Sequence, residues 1–375
     1  MNVLCDFHHT DLFRSLRVLF EKRFGFHFFR PLGQDWQDRG YFFHPEESYG
    51  RGCLTQEPFH KGYLRDLPKG APSHYPHGED SREWSWITLE EAAGKIDLVV
   101  STAPENRESF FRFHRDLRPQ AKWIRYLGNE GEYPHSDDIN LLCANLAVFE
   151  KVNKKNHSVF FHPEFDLALY RWSAPAQPLR PVIRTFLNGI YHDAAHSDPS
   201  LFWSHKQKLS QKADFYIHGL GTPPPGVELK KGQVLWKTIF GHYGDNYQMP
   251  DLSANDGEPA DHEEISRLMR QTNIAWHAKG ADGYGFLIHQ LYASGRPVIC
   301  RPADYKGKTA GLLLKDRKTC VMIEGNLEKD IRKIEFFLRP QENKKMCESA
   351  RDIFKEHVNF DYEAKKIKKF IERLR

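Results

Sequence analysis

Long apolar runs are scarce in this sequence of 375 residues. None approaches the roughly 20 consecutive apolar residues that a membrane-spanning helix needs, so we expect no integral membrane segment. The first residues, Met1 to Asp6, are too few and too acidic to form a secretory signal peptide. These features predict a soluble, cytoplasmic protein.

Closely spaced cysteines are also lacking. The six cysteines are widely spread, and none belongs to a Cys-x-x-Cys motif. This pattern argues against a disulfide scaffold or a cysteine zinc site, and it is typical of a reducing compartment. The net charge of +4 allows a polyanionic partner without requiring one. No motif of a known nucleic-acid-binding class is present.

The sequence does contain a globular composition and a regular alternation of predicted elements. Hydrophobic residues make up 40% and charged residues 28% of a chain that is long enough for two domains. Short apolar strands such as Val3–Cys5, Leu98–Val100 and Ile274–Trp276 alternate with amphipathic helices such as Leu12–Arg23. Strands that alternate with helices predict α/β domains built on parallel sheets.

A proline-rich stretch at residues 163–181 divides this alternation into two halves. We therefore predict an N-terminal domain over residues 1–172 and a C-terminal domain over residues 173–350. A C-terminal helix over residues 351–375 is expected to pack back on the N-terminal domain. Residues 31–85 form a long irregular loop in the first domain, and loops of this length are usually functional.

Residues 280–299 form a glycine-rich turn, a helix and a strand. The glycines of the turn permit backbone angles that other residues avoid, and they leave amide N–H groups uncovered. Phe286–Ala293 has helical propensity, and we expect Leu287, Leu291 and Ser294 to share one face. The start of such a helix attracts anions, which predicts a phosphate-bearing ligand. A tight turn before an ordinary core helix explains the pattern equally well.

The same stretch resembles the donor-site signature of retaining GT-B glycosyltransferases. That family shows Glu-Gly-Phe-Gly, a second Glu on the following helix, and a strand that begins Pro-Val-Ile. The corresponding residues here are Asp282-Gly283-Tyr284-Gly285, then Gln290, then Pro297-Val298-Ile299. Asp keeps the charge of the first Glu, and Gln keeps an oxygen acceptor at the second. The resemblance implies a GT-B fold, with two Rossmann-like domains facing a central cleft.

The resemblance also implies roles for individual residues. Asp282 would contact the donor sugar, and Gln290 would hold the nucleotide ribose. The donor phosphates would be bound by two kinds of group. These are the backbone amides of the turn, at Gly283, Tyr284, Gly285 and Phe286, and the cations Arg184 and Lys237. A surface ion pair is the alternative for each of the two cations.

Candidates on the acceptor side follow the strands of the first domain, where ligands bind in open α/β sheets. His8 and His9 follow the first strand and could supply a base, so we group them with Asp282 as catalytic candidates. Asp11, Asn129 and Glu130 are further acceptor-side candidates. Asp11 is equally explained as a helix cap. No third ligand accompanies the histidine pair, so we expect no metal site.

The leading prediction is an enzyme, a hexosyltransferase that takes its sugar from a nucleotide-diphosphate sugar, with a UDP-sugar favoured. Such a reaction is metal-independent and retaining in the family, and it needs no cofactor beyond this co-substrate. The acceptor could be a glycan, a small molecule or DNA, and a DNA-modifying transferase acting on a hydroxylated base is one alternative. Two further alternatives keep the same fold. One is a nucleotide-sugar epimerase, and the other is a non-catalytic nucleotide-sugar-binding protein.

Overall fold

The computed structural model of the chain describes residues 1–5, 10–31, 36, 39, 85–101, 113–128, 133–134, 136–137, 139–154, 156–186, 199–218, 262–279 and 283–374. For residues 10–11 and 199–200 it describes the backbone alone. The chain divides into two compact units. The first unit comprises Met1–Phe165 and Asn359–Arg375, and the second comprises Asp166–Val358.

The first unit contains a parallel sheet, whose described part has seven strands in the order β3-β2-β1-β4-β5-β6-β7. The strands are β1 (Asn2–Cys5), β2 (His27–Pro31), β3 (Ser85–Ile87), β4 (Leu98–Ser101), β5 (Lys122–Leu127), β6 (Asn140–Cys143) and β7 (Ser158–Phe160). The order runs outward in both directions from β1, which is the doubly wound arrangement of Rossmann-like domains. The predicted strands Val3–Cys5 and Leu98–Val100 are confirmed as β1 and β4, each with one bound shifted by one residue.

Helices cover this sheet. They are α1 (Thr10–Arg17), which continues as a π-helical turn over Val18–Arg23, then α2 (Leu89–Lys95) and α3 (Leu146–Val152). Phe13 and Phe20 pack their rings against Phe28 of β2, at centroid distances of 5.2 and 5.7 Å. Because α1 begins at Thr10, Asp11 lies inside its first turn. The prediction that Asp11 caps the helix is therefore wrong.

Helix α2 begins with a capping box formed by Thr88 and Glu91. The Thr88 hydroxyl accepts the Glu91 N–H at 3.3 Å, and the Glu91 carboxylate accepts the Thr88 N–H at 3.0 Å. Two otherwise unpaired backbone donors are satisfied in this way. Such reciprocal caps can be read from four residues of sequence because they involve no distant partner.

The second unit contains a parallel sheet whose described part has five strands in the order β12-β11-β10-β8-β9. The strands are β8 (Val182–Thr185), β9 (Asp214–Ile217), β10 (Ile274–Trp276), β11 (Val298–Cys300) and β12 (Cys320–Met322). The accompanying helices are α4 (Pro199–Leu209), α5 (His262–Arg270), α6 (Phe286–Ala293), α7 (Leu327–Leu338) and α8 (Pro340–His357). The core is apolar, with Phe202, Trp276 and Ile299 among its fully buried members.

Helix α6 is buried more completely than its sequence pattern predicts. The residues from Ile288 to Ala293 are all buried, including His289 and Gln290. Leu287, which we expected to share a face with Leu291 and Ser294, is half-buried, whereas those two residues are buried. The reason is that α8 packs against α6, so that the helix is covered on more than one side.

The last helix, α9 (Phe360–Glu372), belongs to the first unit. Glu363 is buried and accepts hydrogen bonds from the N–H and the Nδ1 of His162, each at 2.6 Å. Arg23 bridges Glu164 and Asp361 at 2.5 and 2.6 Å. The chain end is thus held by polar contacts as well as by its apolar face. No helix in the described ranges has both the length and the apolarity that crossing a membrane would require.

Candidate functional site

The carboxyl edge of the second sheet brings together residues from separate parts of the chain. Strands β8 and β10 are neighbours, with Arg184 paired to Ala275 and Thr185 paired to Trp276. The segment that leaves β10 runs to the glycine turn and to helix α6. In open α/β sheets, ligands bind at this edge of the strands.

Arg184 is buried at this edge. It contacts Tyr216, on the neighbouring strand β9, and His218, which directly follows β9. Its guanidinium carbon lies 4.1 Å from the centroid of the Tyr216 ring, and Tyr216 is its register partner on β9. Its Nη1 lies 3.0 Å from Nε2 of His218, the residue that follows β9. A guanidinium has only donors, so the His218 Nε2 is the acceptor in this hydrogen bond.

The turn before α6 has the backbone conformation that its glycines predict. Gly285 stands at the N-cap with φ 82° and ψ 52°, in the left-handed region. Residues with a Cβ adopt this region at a cost of about 1–2 kcal/mol. The Gly285 carbonyl accepts hydrogen bonds from the His289 backbone N–H at 3.2 Å and from its Nδ1 at 2.8 Å. The first-turn N–H groups of an α-helix do not bond within the helix, which is why a helix start attracts anions.

Aromatic packing fixes the side chains of this turn. The Tyr284 ring stacks on the His289 ring at a centroid distance of 4.1 Å and an interplanar angle of 14°. It also meets the Phe286 ring edge-on at 4.9 Å. Gln290 lies one turn further along α6 and is 5% exposed. The structure therefore places five predicted donor-site residues, Gly283 to Phe286 and Gln290, in one turn and the helix it begins.

Several predicted site residues lie outside the described residues: Asp282, Lys237, His8, His9, Asn129 and Glu130. Their roles stay predictions. Asp11 is described by its backbone alone, in the first turn of α1. Arg184 is thus the one predicted cation whose surroundings the structure describes.

Sequence reasoning missed three residues at the same edge: His218, His277 and Tyr305. His277 follows β10, and its carbonyl accepts the Tyr305 hydroxyl at 3.1 Å. The two rings stack at a centroid distance of 6.1 Å. The available signal was position, since His218 and His277 each come directly after a strand of the sheet. In the part of the chain that the structure describes, no group of three or more His, Cys, Asp or Glu side chains is arranged to hold a metal ion.

No protein-family model matches the chain, and no curated protein matches it. Solved structures match over the full length. HepE from Anabaena, in complex with UDP and glucose, aligns with a TM-score of 0.62 and 11% identity over 100% of this chain and 99% of that chain. A glycosyltransferase from Rickettsia africae aligns with a TM-score of 0.62 and 12% identity over 99% and 98% of the two chains. Sucrose-phosphate synthase from Thermosynechococcus elongatus aligns with a TM-score of 0.60 and 12% identity over 99% and 98%.

At this level of identity the likeness shows the fold. The chain has the GT-B fold, with two Rossmann-like parallel sheets and a C-terminal helix. The predicted fold class is confirmed, and so is the resemblance to GT-B glycosyltransferases at the level of fold. The glycine turn that carried the resemblance lies at the start of α6. In the chain it follows β10, the strand that pairs with the Arg184 strand β8.

Proposed function

We propose that this protein is a glycosyltransferase that moves a sugar from a UDP-sugar to an acceptor in a metal-independent, retaining reaction. One observation carries the proposal. A buried arginine, Arg184, lies on the strand next to β10, and β10 leads into the glycine turn and the start of α6. Solved structures with the same fold contain UDP with glucose, or UDP-glucose, which supports UDP as the nucleotide.

Glycosyl transfer requires stabilisation of the negative charge that develops on the leaving group. When the bond between the anomeric carbon and the β-phosphate oxygen breaks, negative charge develops on UDP. A guanidinium forms short, charge-assisted hydrogen bonds with phosphate, and the amides at a helix start add a fixed positive potential. Arg184 and the first turn of α6 supply both, with Lys237 as a second cation. We infer that these groups take the place that a divalent metal holds in other phosphate sites.

The sugar and the ribose have separate partners in this proposal. Asp282 directly precedes Gly283 and would hold a hydroxyl of the donor sugar. The amide of Gln290 would hydrogen-bond a ribose hydroxyl as donor or acceptor. His8 and His9 would act on the acceptor hydroxyl, with Asp11, Asn129 and Glu130 as further acceptor contacts.

A panel of nucleotide sugars tests the proposal. Thermal unfolding is measured with UDP-glucose, UDP-N-acetylglucosamine and GDP-mannose, followed by assays of UDP release. A ligand at 100 times its dissociation constant adds about 2.7 kcal/mol to stability, so a UDP-sugar is expected to raise the Tm by several degrees. Release of UDP is expected with the same sugar. Absence of stabilisation by every member of the panel would overturn the proposal.

The assay also separates the alternatives. An epimerase would convert the donor sugar without releasing UDP, and a non-catalytic binding protein would be stabilised without any turnover. UDP release that rises when DNA with a hydroxylated base is added would identify a DNA-modifying transferase.

Asp282→Asn provides the site-specific test. We expect it to lower the rate of UDP release by at least about 100-fold with little change in Tm, because the amide cannot supply the carboxylate's charge. Asp352→Asn is the matched control, since Asp352 is exposed and pairs only with its neighbour Arg351 among the described contacts. Equal rates in the two variants would remove Asp282 from the site.

A further inference from the structure

The surroundings of Arg184 contain a histidine that the proposed function does not use. His218 is 5% exposed and lies directly after β9, at the same edge of the sheet as Arg184. Its Nε2 faces the Arg184 Nη1 at 3.0 Å. We propose that His218 is a positioning residue, which holds the Arg184 guanidinium in the orientation that receives the donor's diphosphate. This inference rests on the proposed function.

The histidine itself is held in place from two directions. Its backbone N–H donates to the Thr185 carbonyl at 2.8 Å, which extends the β8–β9 ladder by one residue. Its ring stacks on the Phe186 ring with a centroid distance of 5.5 Å and an interplanar angle of 20°. Both contacts come from the end of the strand that carries Arg184. The position of the acceptor nitrogen is therefore tied to the backbone that bears the guanidinium.

The guanidinium is then fixed at two points. The Tyr216 ring lies against its face, and His218 accepts from one of its terminal nitrogens. Both contacts restrict rotation of the guanidinium and so help to set the direction of its planar fork. A long side chain ordered before the ligand arrives loses less conformational freedom on binding. Loss of the acceptor nitrogen would weaken diphosphate binding while leaving Arg184 itself in the protein.

Two substitutions separate the role of Nε2 from that of the ring. His218→Gln places its amide near the position of Nε2, where its oxygen can accept from Arg184. His218→Asn places its amide near the position of Nδ1 and does not reach Arg184. Equilibrium titration with UDP is expected to give a dissociation constant within about 3-fold of wild type for Gln and roughly 10-fold higher for Asn. Thermal unfolding of both variants shows whether the fold is retained.

A double-mutant cycle then tests whether His218 acts through Arg184. In an Arg184→Ala background, His218→Asn is expected to produce no further loss of UDP affinity, because the group it positions is gone. His357→Asn serves as the matched control, since His357 lies in the last turn of α8 and takes no part in the donor edge. It should leave the UDP affinity unchanged.

The outcomes separate this inference from the proposed function. If the wild-type protein binds neither UDP nor a UDP-sugar, both fail. If the wild type binds UDP but His218→Asn binds equally well, the positioning role fails and the proposed function stands. The same holds if His218→Asn weakens UDP binding as much in the Arg184→Ala background as it does alone.

Discussion

At the scale of single residues, Gly295 shows how local geometry constrains the second unit. It ends α6 with φ +70°, in the left-handed region. A Cβ at this position would lie 2.2 Å from two ring atoms of Trp172 and 3.2 Å from the Cys347 carbonyl oxygen. Trp172 cannot move aside easily, since the Arg351 guanidinium lies 4.7 Å from its ring centroid. Both the backbone angle and the available space require glycine here.

We predict that Gly295→Ala destabilises the protein by roughly 2–5 kcal/mol, as the sum of left-handed strain and overpacking. The midpoint of urea unfolding measures the change. Gly94→Ala is the matched control, because Gly94 lies in helix α2 and a Cβ added there would meet no atom within 4 Å. Gly94 lies in the last turn of α2 without a positive φ, so alanine there is expected to be neutral or to stabilise by up to about 0.5–1 kcal/mol. An unchanged midpoint for Gly295→Ala would contradict this explanation.

The structural role of some residues could be predicted from the sequence, and that of others could not. The end of α6 at Gly295 was predictable because a glycine after an apolar helix is a local signal. The burial of the next residue, Arg296, was not. Its guanidinium donates to the carbonyls of Ser173, Met269 and Arg270, which lie far away along the chain. Backbone acceptors carry no sequence signature, so a satisfied buried arginine looks like a surface residue until the fold is known.

At the scale of elements, α9 is held to the first unit by a buried carboxylate. We predict that Glu363→Leu destabilises the protein by about 1–3 kcal/mol, because it leaves the His162 backbone N–H buried without its acceptor. Urea unfolding followed by far-UV circular dichroism measures the loss. Glu372→Leu, in the same helix but exposed, is the matched control. Equal effects of the two substitutions would show that the contact with His162 contributes nothing.

Elements bounded by glycine or proline were the most predictable. Helix α6 and strand β11 have the bounds that Gly285, Gly295 and Pro297 suggest. The first helix was less predictable. It begins two residues before the expected Leu12 and changes to π-helical hydrogen bonding after Arg17. Side-chain periodicity does not distinguish these two hydrogen-bond patterns, so the change is visible only in the structure.

At the scale of the whole molecule, buried thiols link stability to alkaline pH. Burial raises the pKa of the Cys347 thiol to about 11. The pKa of Cys300 is also raised, first by its hydrogen bond with Cys320 and then by burial. In the unfolded chain a thiol loses its proton near pH 8.5. The folded protein keeps these protons over a pH range in which the unfolded chain gives them up, so unfolding becomes more favourable as pH rises.

We therefore predict that these thiols make their full contribution to the free energy of unfolding below about pH 8.5. This contribution is lost progressively as the pH rises through 11. Cys347 alone accounts for roughly 3 kcal/mol of this loss. The measurement is the free energy of unfolding in urea between pH 8 and 11, under reducing conditions. Cys347→Ala should show a shallower decline with pH than the wild type. Parallel declines would contradict the assignment to Cys347.

The fold of the whole chain was predictable because strands and helices alternate twice and one motif resembles a family signature. The arrangement of the donor edge was only partly predictable. Arg184 was expected from its strand position, whereas its contacts with Tyr216 and His218 depend on β9 lying beside β8. Strand order is set by long-range packing, and no local pattern in β8 or β9 reports which strands become neighbours.

Equilibrium titration of UDP, UMP and uridine tests most directly whether the second unit binds a nucleotide diphosphate. We predict that UDP binds the wild type more tightly than UMP, and UMP more tightly than uridine, because each phosphate adds charge-assisted hydrogen bonds. Arg184→Ala should weaken UDP roughly 10- to 100-fold and leave uridine unchanged. Equal affinities of the wild type for UDP and uridine, or an Arg184→Ala variant that binds UDP as well as the wild type, would contradict a diphosphate site at Arg184 and α6.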